Sequence, residues 1–438
     1  MSKSKRTTKN LSVSAVQKQL LEAAVYWGDA VAEYEELFYE RMIKQILSDA
    51  FHIPDPFVFE QILDVFDVDH PASPLIYRTI MEMAQVTQIE HEDQTLDCIL
   101  MSMPTVIWSR YQIPDPQPDS NLIQAVLDGL KRHIVTPGTQ IVMMPAPLSS
   151  LNLPASFKNM GQWKQALAQR LQDPQAPLPT PKELYEGVTP GISNAQHWVF
   201  AAANKTDKPI LRWMGNHRGK KQKYLAAWQA YMEAIYKQLY PNCQFDIFLP
   251  DFYYDASTQT RLPEQVRTIH ATVDRISTIF NVAAEHICAT IIRAIDENFE
   301  EYRIGYNLQG QTEVIDGNLW LISPVGSDEL ELPDSEIDDH DDLYETDLFT
   351  LHEKSEDQQK QENNLIDEFS GGQAFNPELA TIFNALHECG IHQIEMIDEL
   401  APAAYCPDCD IPLFPGPSGS LQHLVAPDDL SETPPYLH

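Results

Sequence analysis

The stretch Thr95-Leu96-Asp97-Cys98-Ile99-Leu100-Met101-Ser102-Met103-Pro104-Thr105-Val106-Ile107-Trp108 decides the fold class. At Ile89 the apolar spacing leaves the helical period. Ile89–His91 and Thr95–Trp108 read as strands, joined by a turn at Glu92-Asp93-Gln94. Upstream, residues 11–88 read as a helical module: Leu20, Leu21, Ala24, Trp27, Val31, Tyr34, Phe38, Met42, Ile46 and Leu47 recur at helical spacing. Pro54 and Pro56 break that pattern, and two shorter helices follow. The Glu33, Glu35, Glu36 and Glu40 face reads as a solvated surface, since a di-iron bundle would need a Glu-x-x-His that is absent here.

Downstream, the order of elements repeats. In the first unit, 89–172, a helix covers Asn121–Val135, a short strand Ile141–Met144 ends at Pro145, and a helix covers Phe157–Leu171. A Pro-rich linker, 173–190, separates it from a second unit, 191–281. There, Trp198–Trp213 reads as strand, Tyr224–Leu239 as helix, Phe245–Leu249 as a strand ending at Pro250, and Leu262–Phe280 as helix. The two align at an offset of 105, matching Trp108 with Trp213 and Pro145 with Pro250, which predicts an internal duplication. A third unit, 289–325 and 371–398, carries three alternating strands, a helix and a final strand. The predicted class is α/β (α+β): a helical N-terminal module, then repeated mixed-sheet βαβ-type units.

Acids outnumber bases 64 to 30, for a net charge of −34. This argues against nucleic-acid coating and against binding to anionic membranes. The segment 326–370 holds 17 acids and two lysines, so it carries −15 of that charge and reads as a disordered acidic insertion. Residues 1–10, with Lys3, Lys5, Arg6 and Lys9, read as a disordered basic tail without the apolar segment of a secretory signal. No apolar run approaches the ~20 residues of a membrane span. Cys98, Cys243 and Cys288 sit in apolar runs and read as buried thiols, which places the protein in the cytoplasm. GxGxxG, GxSxG and HExxH are absent.

Three constellations could carry chemistry. The first is the knuckle in the C-terminal segment 399–438, Tyr405-Cys406-Pro407-Asp408-Cys409-Asp410-Ile411-Pro412-Leu413-Phe414-Pro415. A Cys-x-x-Cys turn can put both thiolates on one tetrahedral zinc ion. His423 and either Cys389 or His392 would complete the shell of a structural zinc. The second is basic: Arg212, His217, Arg218, Lys220, Lys221 and Lys223 lie ahead of a helix and could hold an anionic ligand. The third is Asp251, just after the strand ending at Pro250, where ligands bind in open α/β sheets. Arg110 and Arg303 are charges set in apolar strands, and each needs a partner.

Tyr405–Pro415, Glu301-Tyr302-Arg303-Ile304-Gly305-Tyr306, Ile247–Tyr254 and Trp108-Ser109-Arg110-Tyr111 together resemble an uncharacterised family of conserved bacterial (proteobacterial) proteins of unknown function. The likeness covers most of the chain. One departure is Asp410, where the family pattern would place glycine. The resemblance implies an architecture and no activity. Two readings of function follow. One is a non-enzymatic binding or regulatory protein with a zinc knuckle and a protein partner. The alternative is an enzyme acting on an anionic, phosphorylated or carboxylated small molecule, with Arg212, Arg218, Lys220 and Lys221 binding it and Asp251 as base.

Overall fold

A computed structural model describes residues 12–66, 70–91, 94–114, 118–154, 156–180, 192–214, 221–295, 299–324, 377–409 and 411–425. The basic tail 1–10, the acidic insertion 326–370, most of the linker 173–190 and the loop 215–220 lie outside the described residues. The chain divides into two compact units, Met1–Arg267 and Thr268–His438. No described helix is long and apolar enough to cross a membrane.

The first unit is organised by two long strands, β2 (Gln94–Trp108) and β5 (Ser193–Lys205), paired antiparallel from Leu96↔Lys205 to Trp108↔Ser193. Their side chains alternate between two cores, as a period of two requires. Leu96, Cys98, Leu100, Val199, Ala201 and Ala203 face one core; Ile99, Met101, Met103, Trp198, Phe200 and Ala202 face the other. Burial on both faces explains why β2 reads as a continuous apolar run.

The first core is closed by α1 (Val13–Gly28), α2 (Glu33–Ala50), α3 (Val58–Leu63), α4 (Ser73–Gln85) and α6 (Phe157–Gln172). The helices of residues 11–88 therefore share a core with the sheet. Two buried lysines of α6 tie them in: Lys158 Nζ donates to the Ile53 and Asp55 carbonyls, and Lys164 Nζ to those of Met83 and Val86. The second core is closed by α5 (Ser120–Gly129), its π-helical extension Leu130–Ile134, and α7 (Lys221–Leu239).

The sheet edges show a reciprocal arrangement. After α5, the chain forms β3 (Gln140–Met143) and β4 (Leu148–Ser149), both of which pair with β5. After α7 it forms β6 (Gln244–Ile247) and β7 (Asp251–Phe252), both of which pair with β2. The segments 89–172 and 191–281 thus build one sheet between them, completed at one edge by β1 (Val86–His91) on β2. Pro145 and Pro250 each stand in the gap between the paired short strands, where a residue without an N–H does least harm. Trp108 and Trp213 are not equivalent: Trp108 closes β2, whereas Trp213 lies in the turn beyond β5. Arg110 is not embedded in a strand. It follows β2 at the surface, 5.6 Å from the ring centre of Tyr111.

The short helix α8 (Tyr253–Thr258) leads to α9 (Arg261–Phe280), within which the boundary between the units falls. Beside α8, Thr260 and Ser102 hold the fully buried His197. Ser102 Oγ lies 3.0 Å from Nδ1, and Thr260 Oγ1 lies 3.4 Å from Nε2. Burial pulls the His197 imidazole down to about 3, so it is neutral, with one nitrogen donating and the other accepting.

The second unit carries β8 (Ile287–Ile295), β9 (Phe299–Leu308), β10 (Asp316–Pro324), α10 (Pro377–Glu388) and β11 (Gln393–Pro402). The sheet order is β10-β9-β8-β11, with β11 parallel to β8 and the other pairs antiparallel. The second-unit part of α9 is fixed to β10 by Arg275, which forks onto the Asp316 carboxylate at 2.5–2.9 Å, and by a chain from Tyr306 through Asn318 to Thr272. All six cysteines are free thiols. Cys98 is buried, but Cys243 and Cys288 are only partly so; Cys288 Sγ donates to Gln393 Oε1 at 2.8 Å.

Candidate metal centre

After β11 the chain makes two small hairpins, and each delivers part of a ligand set. In the first, Tyr405 bridges Pro412, Cys406 N donates to Ile411 O at 2.8 Å, and Leu413 N donates to Ala404 O at 3.0 Å. These bonds close the arms and leave Cys406 and Cys409 at the turn. In the second, β12 (Phe414–Pro415) pairs with β13 (Leu421–Gln422). The turn between them uses Ser418 and Gly419 with positive φ, and His423 follows β13 directly.

The two hairpins bring Cys406 Sγ, Cys409 Sγ and a His423 nitrogen within 4.8 Å of one another. Nε2 of His423 lies 3.1 Å from Cys409 Sγ. Nδ1 lies 2.7 Å from the Leu424 carbonyl oxygen, which can only accept. The Nδ1 proton is therefore held there, and the Nε2 lone pair points at the thiols. A metal-ligating imidazole requires this tautomer and this outer partner. Two sulfurs and one imidazole nitrogen suit zinc better than calcium or magnesium, which take oxygen ligands.

The set of three does not include Cys389, which follows α10 directly; His392 lies near another histidine, its ring 6.1 Å from that of His387. Asp410 lies outside the described residues.

What holds the knuckle in place is the buried strand residue Arg303. Its guanidinium donates to the carbonyls of Ala404 and Leu413, one on each arm of the first hairpin, and stands 5.1 Å from the ring centre of Tyr405. Its Nε is paired with buried Glu301 at 2.7 Å. A planar fork that satisfies two backbone carbonyls and one carboxylate is a task for arginine and not lysine. Gly305 and Gly317, cross-strand partners on β9 and β10, provide the seat for the second hairpin. A Cβ on Gly305 would overlap the Pro415 carbonyl oxygen, and one on Gly317 would overlap the Phe414 ring. Glycine inside a strand is the sign of such a backbone approach, and it was readable in advance.

Residues 4–437 match the family described as "Protein of unknown function (DUF2863)". The chain belongs to that family. No curated protein and no solved structure matches it. Within this DUF2863 chain, Glu301–Tyr306 and Tyr405–Pro415 form one physical object, a knuckle clamped onto a strand.

Of the basic constellation expected to hold an anion, Arg212 and Lys221 are already engaged within the protein. Arg212 Nη2 donates to the Lys131 carbonyl at 3.0 Å, so it ties the turn after β5 to the π-helical segment Leu130–Ile134. Lys221 Nζ pairs with Asp251 Oδ2 at 3.1 Å, and Asp251 Oδ1 accepts from Phe252 N. The lysine assigned to a ligand and the aspartate assigned as a base thus occupy each other. His217, Arg218 and Lys220 lie outside the described residues. Burial raises the nearby Asp255 carboxyl, with the Asp251 charge adding to it and Lys221 opposing.

Gly305→Ala should cost about 1–3 kcal/mol, because the added methyl must displace the Pro415 backbone. Gly28→Ala meets nothing within 4 Å and should be neutral or slightly stabilising. Urea unfolding of the two variants checks the contrast.

Proposed function

We propose that the protein is a non-enzymatic binding or regulatory protein of the cytoplasm, whose C-terminal knuckle holds one structural zinc ion. The convergence of Cys406, Cys409 and His423, with Nδ1 of the imidazole already committed to a carbonyl, carries this reading. The three donors would occupy three corners of a tetrahedron. The fourth corner would go to a water molecule or a further protein donor. The hairpins are too small to hold a core of their own, and metal ligation would supply the energy that fixes their turns. The free thiols support a reducing compartment. The alternative, an enzyme acting on an anionic small molecule, is weakened because Lys221 and Asp251 neutralise each other.

Elemental analysis of the purified protein should give about one zinc per chain. Cys406→Ser with Cys409→Ser should abolish it, and His423→Ala should weaken it enough for a chelator to strip the metal. Wild-type protein purified without metal, or a Cys406→Ser/Cys409→Ser protein that keeps it, would overturn the reading.

A further inference from the structure

The helical hairpin α1–α2 is buried at its base and bare at its tip. Val16, Leu20, Ala23 and Ala24 of α1, with Ile43, Leu47 and Ala50 of α2, are in the core. From Val31 to Phe38, by contrast, every residue is exposed. That tip is not polar. Val31 is 94% exposed, Tyr34 78%, Tyr26 55% and Phe38 53%, with Val25 and Leu37 also open to solvent. Tyr34, Leu37 and Phe38 stand at i, i+3 and i+4, so they share one face of α2. Phe38 meets Tyr39 edge-on at 5.3 Å, and Tyr39 stacks on Tyr26 at 5.6 Å, which makes the aromatic surface continuous across both helices. Single exposed apolar residues need no explanation, but a continuous patch marks an interaction site.

The charge around the patch selects the occupant. Asp29, Glu33, Glu35, Glu36 and Glu40 are interspersed with its residues, and Arg41, one turn beyond Phe38, is the one base from Val25 to Arg41, so acids outnumber bases five to one there. The first-turn glutamates complement the dipole of α2, which accounts for some of the acids and for none of the aromatics. A second copy of the same surface would set these carboxylates against one another within a Debye length. A basic partner would neutralise them. Residues 1–10 of this chain are basic but offer the patch no apolar side chain beyond Met1.

We propose that the tip of the α1–α2 hairpin docks an amphipathic, lysine- or arginine-flanked helix of another protein, with apolar anchors seated on Tyr26, Tyr34 and Phe38. This is helix recognition through anchors at i, i+3 and i+4, guided by complementary charge. It is independent of the knuckle and of any metal.

The test uses the full chain and two fluorescent peptides. One is an amphipathic helix of leucine and lysine, and the other is its leucine and glutamate counterpart. The lysine peptide should bind, and the glutamate peptide should not. Tyr34→Ser with Phe38→Ser should weaken binding at least tenfold. That variant leaves the net charge unchanged, so attraction to the acidic chain as a whole would survive in it. Cys406→Ser with Cys409→Ser should bind as well as wild type. Equal binding by the Tyr34→Ser/Phe38→Ser protein overturns the proposal. So does sedimentation showing a dimer that this double substitution dissociates, or peptide binding that appears only after residues 1–10 are removed. Far-ultraviolet circular dichroism unchanged from wild type certifies that the variant is folded.

Discussion

Arg303→Leu is expected to destabilise the second unit by about 3–5 kcal/mol, the cost of leaving a buried charge without its partner. The Glu301 carboxylate, 1% exposed, would lose its ion pair. The carbonyls of Ala404 and Leu413 would lose their donor, and both arms of the knuckle would lose their tether. Leucine fills much of the volume, so a cavity is a minor part of the effect. Adding Glu301→Gln should recover a share of the stability by removing the unpaired charge, but should not restore the clamp on the arms. Metal content should therefore separate the two roles: stability partly returns in the double variant, and metal retention does not. Urea unfolding and elemental analysis of the three proteins check this. A single variant that loses less than about 1 kcal/mol, or that keeps its metal as wild type does, would contradict the assignment.

The second large effect concerns His197. Its imidazole is neutral in the fold, with a pKa of about 3, against an ordinary value of 6.5 in the unfolded chain. Below pH 6.5 the unfolded state takes up a proton that the native state refuses. Stability therefore falls as the pH drops through the window from 6.5 to about 3, at up to about 1.4 kcal/mol per pH unit. Between pH 7 and pH 5 this single side chain should remove about 2 kcal/mol. His197→Gln keeps a donor and an acceptor between Ser102 and Thr260, and it cannot titrate. Its stability should change with pH less steeply than that of wild type across that interval. Chemical unfolding at both pH values reads the difference, and parallel slopes would exclude His197 as the cause.

The features legible in the sequence were local ones. Thr95–Trp108 announced itself as a strand because both of its faces are apolar. Pro145 and Pro250 marked interruptions because proline lacks a donor. Cys406 and Cys409 stood out by spacing. What could not be read was which distant segments meet. Arg303 was recognisable as a charge needing a partner, and Glu301 stands two positions away, yet its other partners lie about a hundred positions on, at backbone carbonyls, which any residue offers. Cys389 entered the predicted ligand shell because it is near in sequence and chemically apt. The group that could hold a metal ion is instead completed by the hairpin that returns His423. Lys221, at the start of α7, looked available to a ligand because its counter-charge, Asp251, stands 30 residues away on β7. The helices of residues 11–88 looked like a module because their period is self-consistent, and nothing in that period reveals that their buried face belongs to a sheet not yet encountered.

The reciprocal strand exchange in the first unit also governs how the chain can be made. β5 begins at Ser193, 85 positions after Trp108 closes β2. At about 5–20 residues per second, synthesis of that interval takes about 4–17 seconds. During that time β2 is an apolar strand whose principal neighbour does not yet exist. The helices α1–α4 have already been synthesised, and they offer a surface to Leu96, Cys98 and Leu100. Ile99, Met101 and Met103 have only α5 and its π-helical extension, made after β2, to share their core until α7 follows β5. The N-terminal helices thus shelter one side of the nascent strand, and the opposite side is where a holding chaperone has work to do.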